Sequence, residues 1–224
     1  MQIAIAIDGP SGAGKSSLAR AAARELGLIY VDTGAIYRSV GLAASRAGLA
    51  FGDIEGVTAL LPKLDIRMAY DDAGVQRMYL NGEDVSEAIR APEISMYASD
   101  VSAMPVVRAY LMDMQRGMAK KGGVIMDGRD IGTVVLPDAP LKIFLTASAE
   151  ERARRRHLEL REKGEECSFN EVLRDIIRRD ENDSNRDIAP LKQAHDALLL
   201  DTSELDFDQS RERLIALIKE RFSI

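Results

Sequence analysis

The chain opens on an apolar run, Ile3-Ala4-Ile5-Ala6-Ile7, with no polar alternation, the pattern of a strand covered on both faces. Four more short runs read as strands, Ile29–Asp32, Val124–Asp127, Leu141–Leu145 and Ala197–Leu200, of which Val124–Asp127 reads as buried like the first. Between them the pattern turns helical. Lys15–Leu26, rich in Ala, Arg and Leu, and Ala35–Ala47 are predicted helices. Ser148-Ala149-Glu150-Glu151 and Ser168-Phe169-Asn170-Glu171 each carry the hydroxyl and carboxylate of a capping box. They predict helices over about Ala149–Glu162 and Phe169–Asp183, the first stopped by Gly164 in the turn Lys163-Gly164-Glu165-Glu166. Strands alternating with helices predict an α/β fold with a parallel sheet covered by helices. Residues 63–90 break that rhythm: Leu64–Tyr70 and Val75–Leu80 read as a hairpin, Asn81-Gly82 as a tight turn, and Val85 as the start of a further short strand.

Composition narrows the class. The 224 residues carry 46% hydrophobic and 29% charged side chains, ordinary for a globular domain. No apolar run approaches the length of a membrane span, and a strand at the very start leaves no room for a signal peptide, so a cytoplasmic protein is expected. The single cysteine, Cys167, suits a reducing compartment, and two distant histidines, His157 and His195, argue against a His/Cys metal cluster. A net charge of -6 argues against nucleic acid as the partner. Residues 152–186 look basic, yet nine arginines and Lys163 face nine acids there, so the segment reads as a pair of salt-bridged helices from which a few arginines turn inward.

Chemistry enters at Gly9-Pro10-Ser11-Gly12-Ala13-Gly14-Lys15-Ser16, a complete Gly-x-x-x-x-Gly-Lys-Ser phosphate loop between a predicted strand and a predicted helix. Its glycines let backbone N–H groups converge on an anion at a helix N-terminus. Lys15 is placed to reach the β- and γ-phosphates, and the Ser16 hydroxyl to ligate Mg²⁺. No Asn-Lys-x-Asp guanine reader is present. Instead arginines follow the strand ends: Arg38 after Asp32-Thr33-Gly34, Arg129 after Asp127-Gly128, and Arg186 after the second capped helix. Each alone is most often a surface ion pair. Together, as planar forks that match phosphate oxygens, they point to a second phosphorylated ligand and a small-molecule kinase. A nucleotide-dependent switch is the rival class.

Asp8-Gly9-Pro10-Ser11-Gly12-Ala13-Gly14-Lys15, Asp32-Thr33-Gly34-Ala35-Ile36-Tyr37-Arg38, Leu80-Asn81-Gly82-Glu83-Asp84-Val85, Asp127-Gly128-Arg129-Asp130-Ile131-Gly132-Thr133 and Asn185-Arg186 with Ala189-Pro190-Leu191 resemble the bacterial cytidylate kinases, and the resemblance runs over nearly the whole chain. It implies transfer of the γ-phosphoryl group of ATP to CMP or dCMP with Mg²⁺, on a five-stranded parallel sheet with a small antiparallel insertion that binds the monophosphate and a short helical lid. It implies one kinase domain over residues 1–224, with a core of about 1–62, 91–150 and 187–224, the insertion at 63–90 and the lid at 151–186. ATP would be held by Gly9, Pro10, Ser11, Gly12, Ala13, Gly14, Lys15, Ser16 and Ser17, where many relatives have Thr after the first position beyond the lysine. By resemblance Ser99, Arg108 and Asp130 read cytosine, Arg38, Arg129 and Arg186 grip the acceptor phosphate, Arg179 and Asp183 contact sugar or phosphate, and Thr33 and Tyr37 line the acceptor site. Related enzymes suggest a monomer. A kinase of another monophosphate such as UMP is the alternative.

The residues suit that chemistry. A carboxylate such as Asp130 accepts from the cytosine N4 amino group, and Arg108 donates to O2 and N3; uracil presents an oxygen where the carboxylate needs a donor. Catalysis is then electrostatic, through Lys15, Arg129 and lid arginines drawn from Arg152, Arg155, Arg156 and Arg179, with no need for a histidine base. Asp127, ending an apolar strand, is placed either to hold a metal-bound water or to orient an arginine.

Overall fold

A computed structural model describes residues 3–120, 122–162 and 164–224. In chain order the elements are β1 (Ala4–Asp8), α1 (Lys15–Leu26), β2 (Ile29–Asp32), α2 (Thr33–Arg46), α3 (Ile54–Leu60), β3 (Ile66–Tyr70), β4 (Gln76–Leu80), β5 (Glu83–Asp84), α4 (Pro92–Ser102), α5 (Pro105–Ala119), β6 (Val124–Gly128), β7 (Leu141–Thr146), α6 (Ala149–Glu162), α7 (Phe169–Asn185), β8 (Leu198–Asp201) and α8 (Phe207–Phe222). The chain divides into two compact units, residues 1–30 with 121–224, and residues 31–120. No helix among the described residues is long and apolar enough to cross a membrane.

The first unit is built on a five-stranded parallel sheet in the order β2-β6-β1-β7-β8. Ile5, Ala6 and Ile7 are fully buried in β1, as are Val124, Ile125 and Met126 in β6, which is why neither strand alternates polar with apolar. Leu18, Ala19, Ala22 and Ala23 of α1 and Leu214, Ile215 and Ile218 of α8 pack in one core with Ile5, Ile7, Ile125 and Ile143. The register sets Asp8 beside Gly128 on one side and Phe144 on the other. The chain therefore leaves the carboxyl ends of β1, β6 and β7 side by side, the place where parallel sheets bind ligands.

The helices α6 and α7 form around a small apolar seam of Ala153, Val172 and Ile176. Ser168 and Glu171 complete the predicted capping box of α7. The one predicted at Ser148 is only half made: Ser148 Oγ accepts from Glu151 N, but the Ser148 N–H donates to Ser203 Oγ, and Glu151 is held by Arg154 and Arg155. Gly164 stops α6 as expected. It takes the left-handed conformation, φ 78°, with Gly164 N–H on the Arg161 carbonyl and Glu165 N–H on the Leu160 carbonyl. Lys163, in the same turn, lies outside the described residues.

The second unit packs α2, α4 and α5 with a three-stranded antiparallel sheet, β3-β4-β5, around Ile36, Val40, Val85, Ile89, Val107 and Leu111. The α2–α4 approach is close because Gly41 carries no side chain: a Cβ there would lie 2.9 Å from Ala98 N. Asn81 and Gly82 both have positive φ, 52° and 86°, the demand of the tightest hairpin turn, and Leu80 pairs directly with Glu83 across it. The third strand is thus Glu83–Asp84 and ends before Val85. Val85 is fully buried and belongs to the core.

Candidate active site

The phosphate loop joins β1 to α1. Gly9 has φ 152°, and a Cβ on it would sit 1.9 Å from the Leu145 carbonyl oxygen, so this position accepts no other residue. Gly14 caps α1 in the left-handed conformation, φ 85°. Lys15 is buried, and its Nζ donates to the Pro10 carbonyl at 2.7 Å, spanning the loop from within. Burial, and next the Arg129 guanidinium, bring the Lys15 ammonium down to about 7 against the pull of Asp127, Asp183 and Asp8. A bound anion in the loop would reverse that depression.

Beside the loop stands Asp127, the fourth residue of β6 and itself buried. Its Oδ2 accepts from Ser16 Oγ at 2.8 Å and its Oδ1 from Tyr30 OH at 2.9 Å. Ser16 thereby spends its one hydroxyl donor on a carboxylate and keeps its oxygen lone pairs for other partners. A hydroxyl and a nearby carboxylate are hard oxygen donors, the set that suits Mg²⁺ held mainly by substrate phosphates and water, so the residues fit that ion.

Arg129 follows directly. Its Nε donates to Asp183 Oδ2 of α7 at 2.7 Å and its Nη1 to the Gly128 carbonyl. Asp130 is buried, with Arg186 Nη2 at 3.9 Å from its Oδ1, and Arg186 Nε donates to the Ala189 carbonyl at 2.6 Å. The turn carrying these residues is held from β1: Ile131 N and Gly132 N both donate to the Asp8 carboxylate at 2.7 Å. Burial pushes the Asp8 carboxyl up from the ordinary 3.8 to about 6; the two amide bonds oppose the rise, Asp130 adds to it and Lys15 opposes it. The first unit thus gathers Lys15, Ser16, Asp127, Arg129, Asp130, Asp183 and Arg186 around the ends of β1 and β6.

The arginines of the two capped helices behave differently. The Arg179 side chain is 42% exposed and pairs with Asp175 one turn back. Arg156 pairs with Glu159 in the open, and Arg155 turns to Glu151, Thr202 and the Leu205 carbonyl. Arg152 is buried and reaches the phosphate loop itself, on the Ser11 carbonyl.

Within the second unit, Asp32 caps α2 by accepting from Ala35 N at 2.9 Å and also receives Arg38 Nη2 at 3.1 Å and Arg90 Nη2 at 3.4 Å. Thr33 is buried in the first turn of α2. The Arg108 guanidinium is buried 5.9 Å from the centre of the Tyr37 ring and donates to the Ser102 carbonyl. Ser99 is exposed on α4, and its carbonyl accepts from Ser102 Oγ.

Asp8 holds the turn at Ile131 and Gly132, Tyr30 holds Asp127 and Arg90 reaches Asp32, contacts for which none of the three was singled out in the sequence. Asp8 carried a signal, as a charged residue ending an otherwise apolar strand; Tyr30 and Arg90 carried none.

The family model for cytidylate kinase matches residues 5–220. The chain belongs to the cytidylate kinase family. It is 50% identical over 220 residues to the cytidylate kinase of Syntrophotalea carbinolica, covering 98% of this chain and 93% of that one. It is 51% identical to the cytidylate kinase of Carboxydothermus hydrogenoformans, covering 96% of each. Among solved structures, shikimate kinase from Bacteroides thetaiotaomicron aligns over 100% of both chains with a TM-score of 0.51 at 16% identity, which shows a shared fold.

Proposed function

We propose that the protein transfers the γ-phosphoryl group of ATP to CMP and dCMP, giving ADP and CDP or dCDP. The observation that carries this reading is a complete phosphate loop, with Lys15 buried inside it and Ser16 set on Asp127, in a chain half identical to cytidylate kinases over nearly its full length. The relatives are named for cytidylate, and no feature of the site favours UMP, the alternative acceptor.

In this reading residues 9–17 take the ATP phosphates, with Lys15 leaving the Pro10 carbonyl for phosphate oxygens. Ser16, with Asp127 behind it, would hold Mg²⁺, which when bound supplies positive charge to the phosphate oxygens. Arg38, Arg129 and Arg186 hold the acceptor phosphate; Ser99, Arg108 and Asp130 read the base; Thr33 and Tyr37 line its site. Arg129 already rests on Asp183, so an incoming phosphate exchanges one anionic partner for another and frees Asp183 for a sugar hydroxyl. Arg179, held by the half-exposed Asp175, can swing toward the transferring group when residues 151–186 close as a lid. Residues 63–90 serve the monophosphate. The net charge of -6 supports small nucleotides rather than nucleic acid as partners, for a cytoplasmic monomer.

A coupled ADP-release assay with ATP, Mg²⁺ and CMP, dCMP, UMP, AMP, GMP or no acceptor tests the reading. Strong turnover with CMP and dCMP and weak turnover with UMP is expected. ADP release that ignores the acceptor would refute it.

A further inference from the structure

A loop whose N–H groups converge on an anion must turn its carbonyls the other way, and those carbonyls need donors where water is excluded. Two successive loop carbonyls find cationic ones. Pro10 receives Lys15 Nζ, and Ser11 receives Arg152 Nη1 at 2.9 Å. Lys15 serves the Pro10 carbonyl only until it turns to phosphate. Arg152 has no such second task, because every arm of its guanidinium is engaged. Its Nε donates to the Ala147 carbonyl at 2.8 Å, and its fork meets Asp180 of α7 at 3.0 and 2.6 Å. Only 5% of the residue is exposed. A Cβ on Gly12 would lie 3.5 Å from Arg152 Cβ and 3.8 Å from Ile176 Cδ1, so the underside of the loop rests on these two helices.

Asp180 and Asp183 lie three residues apart, on one face of α7. Asp180 holds the arginine beneath the phosphate loop, and Asp183 holds Arg129. One helix face therefore touches both arginines.

We infer that Arg152 and Asp180 are positioning residues of the phosphate loop: they fix the Ser11 carbonyl and with it the shape of the loop. Arg152 does not reach the transferring phosphate. The inference rests on the kinase reading for its kinetic arm alone, since loop geometry governs nucleotide binding with or without an acceptor.

The test pairs Asp180→Asn, nearly isosteric, with Arg152→Lys, which keeps the charge and loses the fork. For each, KM for ATP and for CMP, kcat, Tm and the calorimetric affinity for ADP are measured. Loss of one charge-assisted hydrogen bond should raise KM for ATP and weaken ADP binding about tenfold, leaving KM for CMP within about twofold. The double variant should bind ADP no more weakly than Arg152→Lys, since both changes break one device. A kcat lowered about a hundredfold with KM for ATP unchanged would place Arg152 on the transferring group and overturn the inference. A lowered Tm with ADP affinity intact would reduce the pair to a structural strut and overturn it as well. If the wild-type enzyme ignores CMP, the kinase reading fails in the assay, and ADP titration still decides the role of Arg152.

Discussion

Replacing Asp8 by Asn removes a buried charge and leaves its shape. Asp8 accepts two backbone N–H groups, yet burial holds its carboxyl at about 6 instead of 3.8. A raised carboxyl means that the folded chain binds a proton the unfolded chain has already lost, so stability falls as pH rises through that window. At about 1.36 kcal/mol per pH unit, the gap amounts to about 3 kcal/mol. About 2 kcal/mol of it should be lost between pH 4.5 and 7.5, an order-of-magnitude figure from the linkage relation. The carboxamide of the Asp8→Asn variant does not titrate. It keeps one amide bond and sets an NH₂ against the other N–H, a penalty of about 1–3 kcal/mol that is the same at every pH. The assay is urea unfolding of both chains across that range, at low concentration because the sequence pI is about 5.1. The stability of Asp8→Asn relative to wild type should climb by about 2 kcal/mol from pH 4.5 to 7.5. A difference flat with pH would refute the argument that Asp8 is held charged at a cost, and a falling one would mean that its amide partners outweigh burial.

Arg129→Ala should lower kcat by about a thousandfold or more with the far-UV spectrum unchanged, and an enzyme with wild-type kcat would remove Arg129 from the chemistry. Asp130→Ala should shrink the ratio of kcat/KM for CMP over UMP; a constant ratio would put cytosine reading elsewhere. Lys15, at about 7 in the free chain, should be reprotonated by bound nucleotide, so affinity should weaken as pH rises above 7 and binding at pH 8 should take up a proton. Calorimetry in buffers of different ionisation enthalpy measures that uptake, and its absence would count against a phosphate contact for Lys15.

Much of the frame could be read from residue order. Runs such as Ile3–Ile7 and Val124–Asp127 are unambiguous because both faces of each strand are buried, and the loop glycines announce themselves by composition. Element edges slipped where capping decides them. The first long helix after β2 begins at Thr33, two residues earlier than its apolar period, because the Asp32 carboxylate takes the free N–H of Ala35. Asp8 was in view, but its task was not, since its partners are backbone amides more than a hundred residues away. The charges of residues 152–186 nearly cancel, and a tally of charge cannot say which arginine turns inward. Arg152 turns because the seam of Ala153, Val172 and Ile176 sets one face of α6 and α7 beneath the loop. Arg155 lies off that face and finds Thr202.

The state of Lys15 has a consequence for labelling chemistry. Burial and the neighbouring Arg129 lower the Lys15 ammonium, so at neutral pH it gives up its proton far more readily than an exposed lysine does. Desolvated and next to another cation, such an amine is a nucleophile, the condition under which lysines form Schiff bases or accept acyl groups. In the free enzyme Lys15 should therefore react with small electrophiles more readily than an exposed lysine does, and bound nucleotide, which favours its protonated form, should protect it. Small reactive aldehydes that modify Lys15 in the free enzyme and spare it under nucleotide would report site occupancy residue by residue, without turnover.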